Sequence, residues 1–206
     1  EEMKKSMKQN KIRLIIVSLE FAGLFASLAF RNTILSMVLL AVCTISCMLI
    51  LYFNLGNLTP SISESNPKMK TLKKVTLFNT GLLIACGIAC LLDYTGVISI
   101  PVENEKYFAA FVIILVILFS GNMSPKLPFS KHTGLRLPWT VMDEETWIVA
   151  HRIIGYLAFP LVLLYLAGMF IVEDFKILTG VVVALWIGIP SVYSYIFYYK
   201  KTHGKL

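Results

Sequence analysis

Six apolar runs of membrane-span length decide what this 206-residue chain can fold into. They cover roughly residues 12–30, 33–55, 75–92, 107–120, 147–172 and 175–199, the fourth being the shortest. A spanning helix needs about 17–25 mostly apolar residues, because the hydrocarbon core is about 30 Å thick. Lipid offers no partner to backbone N–H and C=O groups, so such runs must be helical. A buried soluble core explains one run of this kind, not six. Composition agrees: 57% of residues are hydrophobic and 15% charged, against about 45–50% and about 25% in soluble domains. The expected fold is an all-α integral membrane protein, a six-transmembrane-helix bundle with residues 1–206 as one membrane domain. The first run is longer than the apolar core of a signal peptide and a second follows at once, so it reads as a retained span.

Charge sets the orientation. The formal net charge is +7, and the basic residues lie between the apolar runs, a pattern of membrane topology rather than of nucleic-acid binding. One set of connections carries Lys4, Lys5, Lys8, Lys11, Arg13, Lys68, Lys70, Lys73, Lys74, Lys126, Lys131, Arg136, Lys200, Lys201 and Lys205. The alternate set carries only Arg31, Lys106 and Lys176, together with Asp93, Glu103, Glu105, Glu173 and Asp174. Lys and Arg collect on the cytoplasmic side, so both termini are expected there. Tyr52, Tyr94, Tyr107, Trp139, Trp147, Tyr198 and Tyr199 fall at span ends, where an interfacial aromatic belt belongs.

The cysteines make no metal site by spacing. Cys43/Cys47 and Cys86/Cys90 are each four residues apart. At 1.5 Å per helical residue the first pair lies ~15 and ~21 Å below the outer end of its span, the second ~10 and ~4 Å. That offset of about 10 Å is too large for one tetrahedral zinc. His132, His151 and His203 share no helix, so no cofactor and no metal is expected.

The segment 121–146 is not explained by spanning. Pro125, Pro128 and Pro138 oppose a regular helix through it, and Gly134 permits a turn with positive φ. Phe129 and Trp139 make it too apolar for a solvated tether, so it should be ordered and folded onto the membrane face of the protein. Helix then resumes. Thr140-x-x-Asp143 loosely fits a capping box, with Asp143 a candidate cap itself, and Asp143, Glu144 and Glu145 suit a helix N-terminus. Trp147, His151 and Gly155 recur at every fourth position on one face, with Arg152 one position round. A His-Arg pair this far inside a span marks either a polar site or, more plainly, an interhelix hydrogen bond and a cation reaching lipid phosphate.

At these residues the sequence resembles the SdpI family of bacterial membrane proteins. The matching string is Gly121-Asn122, Pro125-Lys126, Gly134-Leu135-Arg136, Pro138-Trp139-Thr140, Trp147 and His151-Arg152, followed by Gly155. It departs from the family pattern in lacking an Asn ahead of Gly134 and in having Ala150 before His151. The first histidine is His132, so the His-rich N-terminal module of many relatives is not expected. The resemblance implies a multi-pass protein of the bacterial cytoplasmic membrane that gives resistance to a toxic peptide. In some members it also sequesters a cognate transcriptional repressor. It also implies that the motif region 121–155 carries the functional residues Asn122, Pro125, Lys126, Gly134, Arg136, Pro138, Trp139, Thr140, Trp147, His151 and Arg152. The partners then expected are a toxic peptide, a cytoplasmic repressor and membrane lipids, with no direct contact to nucleic acid.

Two other function classes compete. A small membrane enzyme would use His151 and the loop acids, but no G-x-S-x-G, H-E-x-x-H or supported carboxylate pair is present. A transporter would show an inverted repeat, and none is visible. A non-enzymatic immunity protein is the leading reading. Glu20, in the first span, needs a polar partner there. Counted from the span starts, Glu20 and Arg152 both lie about 10 Å below the cytoplasmic face, so a pair with Arg152 or His151 is geometrically open to it, the alternatives being a protonated Glu20 bonded to a backbone carbonyl and an Arg152 that reaches lipid phosphate.

Overall fold

The computed structural model describes residues 2–30, 33–59, 66–99, 101–129 and 134–204. Arg31, Lys131, His132 and Lys205 lie outside the described residues. Everything regular among the described residues is helical. Six helices are long and apolar enough to cross a membrane, as the apolar runs require, so this is a multi-pass membrane protein. The helices outrun the apolar runs at several ends, because the helical backbone continues into the polar boundary. The chain divides into two compact units, Glu1–Ile100 and Pro101–Leu206.

The first unit holds α1 (Glu2–Ala29), α2 (Thr33–Phe53), the single-turn α3 (Leu55–Leu58) and α4 (Pro67–Tyr94). Helix α2 packs against both α1 and α4. Its approach to α1 is close at Gly23, where a Cβ would stand 2.8 Å from Cys43 Cβ. The Cys47 thiol is buried and donates to the Ile16 carbonyl at 3.5 Å. Helix α4 begins as its sequence dictates: Asn66 accepts the Lys68 N–H at 2.9 Å, and Pro67 takes the first-turn position that tolerates proline. Leu55 and Leu58 of α3 and Met69 and Leu72 of α4 are buried where these two helices pack.

The second unit holds α5 (Val102–Met123), a 3-10 turn at Ser124–Lys126, the short α6 (Pro138–Met142), α7 (Glu144–Ile171) and α8 (Phe175–Thr202). Helix α7 is central and packs against each of the others. Its core joins Ala110 and Ile117 of α5 to Ala158, Leu161, Val162 and Tyr165 of α7 and Leu178 and Val182 of α8. The phenol of the fully buried Tyr165 shares a 2.7 Å hydrogen bond with the Thr179 hydroxyl. Small residues let α5 and its 3-10 extension cross α7 closely. A Cβ on Gly121 would overlap Ala158 Cβ, and one on Gly155 would stand 2.7 Å from Pro125 Cγ.

Candidate functional site

No regular helix runs through the described part of the 121–146 segment, and two of its three prolines stand where short helical pieces begin. Pro125 sits in the first turn of the 3-10 piece and Pro138 in the first turn of α6, where the missing N–H costs nothing. Of the capping expected here, that of Asp143 is found and the Thr140-x-x-Asp143 box is not. Thr140 lies inside α6 and is fully buried. Its hydroxyl accepts the Leu137 N–H at 2.9 Å and donates to the Leu135 carbonyl at 2.7 Å. It thereby satisfies backbone on both sides of Arg136. Asp143 alone caps α7, accepting the Thr146 N–H at 2.9 Å and the Thr146 hydroxyl at 2.6 Å.

His151 latches the loop to the helix. Its Nδ1 lies 2.8 Å from the Trp147 carbonyl, which can only accept, so Nδ1 carries the proton. Its Nε2 is then a lone-pair acceptor, and the Leu135 backbone N–H donates to it at 3.1 Å. The imidazole is 2% exposed and stacks on the Trp147 indole, with centroids 3.9 Å apart. Phe129 closes on that indole edge-to-face at 5.8 Å. Gly134 brings the chain across this pair. Its φ is +93°, and a Cβ would overlap His151 Nε2 and stand 2.8 Å from Trp147 Cη2. Glycine is thus required there by both conformation and space. The Trp147 Nε1 is buried and has no hydrogen-bond partner among the described residues.

A second set of contacts ties the segment to α8. Trp139 donates from Nε1 to Ser194 Oγ at 3.0 Å, and Ser194 in turn donates to the Ser191 carbonyl at 3.0 Å. The Trp139 and Tyr195 rings meet edge-to-face at 5.1 Å. Lys201 reaches Asp143 and Glu145, each at 2.7 Å. Partial burial raises the Asp143 carboxyl, but hydrogen bonds from Lys201 and Thr146 outweigh it and hold the group below its ordinary value.

The motif residues therefore separate into two kinds. Gly134, Trp139, Thr140, Trp147 and His151 are drawn together into a latched loop. Asn122, Pro125, Lys126, Arg136, Pro138 and Arg152 are exposed, with Lys126 donating to Asn122 Oδ1 at 2.6 Å. Glu20 lies on the exposed side of α1 in the first unit, beside the Cys47 thiol. Among the described residues no group of three or more His, Cys, Asp or Glu side chains is placed to hold a metal. Arg152 is one residue from His151 yet turned away from the buried face, which is what a 100° helical step does to neighbours.

Residues 126–194 match the SdpI/YfhL protein family. That stretch begins at Lys126 in the 3-10 turn and ends at Ser194, the acceptor of the Trp139 indole. The SdpI resemblance carried by the motif string thus holds over the latched loop, α7 and most of α8. Neither the curated proteins nor the solved structures gave a match. Sequence reasoning missed Ser194 and Lys201 as members of this site. Both stand more than fifty residues from their partners, and no local pattern announces either.

Proposed function

We propose that the chain is an immunity protein of the bacterial cytoplasmic membrane, giving its cell resistance to a toxic peptide that acts at the bilayer. The observation that carries this reading is the SdpI/YfhL match over 126–194. It takes in the latched loop together with α7 and most of α8, the two spans on which that loop is held. Likeness to the SdpI/YfhL family supports a membrane protein of immunity type, and the toxin and its readout are our extension of it.

The chemistry supports a binding rather than an enzymatic role. The buried imidazole of His151 has both nitrogens committed to backbone groups, and so has no lone pair or proton to lend to a substrate. The basic asymmetry of the connections supports a cytoplasmic side for both termini and this loop. There the loop is within reach of a repressor that the protein would hold when the toxin is present.

The test is genetic. A strain lacking the gene is exposed to the culture supernatant of its parent. Growth should stop in the deleted strain, resume with the wild-type gene, and stay arrested with Trp139→Ala inserted in the membrane at normal levels. Equal growth of all three strains would overturn the reading.

A further inference from the structure

We propose that α6 and the residues flanking it form an interfacial foot that sits on anionic phospholipid headgroups beside α7 and α8. One side of α6 is spoken for: Thr140 is fully buried and Trp139 is bonded to Ser194. The other side is not. Met142 is 72% exposed, its sulfur accepting the Tyr198 hydroxyl at 3.9 Å, and Pro138 is exposed as well. An apolar prow in a polar connection is unexpected in water and expected at a bilayer surface.

Level and charge specify the surface. The foot lies where α7 begins and α8 ends, and both are helices of span length. That end therefore stands at the boundary between hydrocarbon and water, where Trp139, Tyr195, Tyr198 and Tyr199 also gather. Arg136 immediately precedes α6 and is exposed. Lys200 is exposed on the last turn of α8, the helix that carries the partners of Trp139, Met142 and Asp143. Of the acids that follow α6, Asp143 and Glu145 are held by Lys201, which leaves the exposed Glu144 against the two cations. An exposed methionine between exposed cations matches an anionic headgroup layer: the cations take phosphate, the thioether enters the upper acyl region. The proposal is independent of the immunity reading.

The test places a fluorescent non-natural residue at Met142 of the full chain, reconstituted in phosphatidylcholine vesicles with or without phosphatidylglycerol. With phosphatidylglycerol, a headgroup nitroxide should quench the probe strongly and the uncharged aqueous quencher acrylamide weakly. Arg136→Gln and Lys200→Gln should each shift the balance toward acrylamide by about fivefold, the effect of one cation near an anionic surface; high salt should do the same. Both side chains are exposed, so the variants should melt with the parent protein, and a fall in melting temperature is checked separately. Equal acrylamide access in the two vesicle types would overturn the proposal. So would protection from acrylamide that ignores lipid charge, salt and both substitutions, which would point to cover by the protein itself.

Discussion

The Nε2 atom of His151 accepts the backbone N–H of Leu135 at 3.1 Å, and that bond joins a loop to a helix sixteen residues further on. It fixes what removal of the imidazole should do. His151→Phe keeps an aromatic ring against Trp147 but leaves the Leu135 N–H with no acceptor. An unpaired buried donor costs about 1–3 kcal/mol. Hydrogen exchange at the Leu135 amide should accelerate about tenfold or more, while amides in the middle of α7 keep their protection. Unchanged exchange at Leu135 would mean that the loop is held by other contacts.

Gly134→Ala should be more damaging than its size suggests. The residue must keep φ near +93°, and its new methyl would stand where His151 Nε2 is. A left-handed conformation alone costs a non-glycine residue roughly 1–2 kcal/mol, and the overlap adds to it. The expected result is a fall in detergent melting temperature comparable to that of His151→Phe. The double variant should be less damaging than the sum, because both changes break the same latch.

The spans were legible in the sequence because hydrocarbon thickness fixes their length and lipid fixes their helicity. Neither condition needs tertiary information. The latched loop was legible in part. Gly134, Trp139 and His151 stood out because no rule of membrane spanning asks for a glycine, an indole and an imidazole at those places. Their roles were not legible, since Thr140 and His151 act on backbone atoms of Leu135 and Leu137, and any residue has a backbone. Ser194 was hidden for a similar reason. A serine in a span commonly bonds its own helix, as Ser194 also does, and only three-dimensional proximity adds the Trp139 indole.

Asp143 gives the site a pH dependence with a definite sign. Its carboxyl is held below the ordinary value of 3.8, so the folded protein binds the proton less tightly than the unfolded chain. The stability this contributes is whole above that ordinary value and is lost as pH falls through it toward the lower folded value. Melting temperature followed downward from pH 6 should show a decline below about pH 4, and Asp143→Asn should remove that component. The substituted amide would still cap α7 through its side-chain oxygen, so the variant should fold with a weakened hold on Lys201. A decline unaltered by the substitution would assign the acid sensitivity to other carboxyls.

Three glycine-to-alanine changes separate close packing from helix propensity. Alanine favours a helix over glycine by up to about 1 kcal/mol, so an unobstructed site should gain stability. Gly180 of α8 is such a site, with nothing within 4 Å of its would-be Cβ. At Gly121 the same methyl overlaps Ala158 Cβ, and at Gly155 it comes within 2.7 Å of Pro125 Cγ and 3.0 Å of the Gly121 carbonyl. None of those atoms is the far end of a flexible side chain, so α5 and α7 must move apart. Overpacking of that kind costs about 1–3 kcal/mol, which exceeds the propensity gain. Heating in detergent, followed by loss of helical circular dichroism, should therefore rank Gly180→Ala at or above the parent protein and the other two below it. If Gly121→Ala melts with Gly180→Ala, the close crossing of α5 and α7 is not what holds the second unit together.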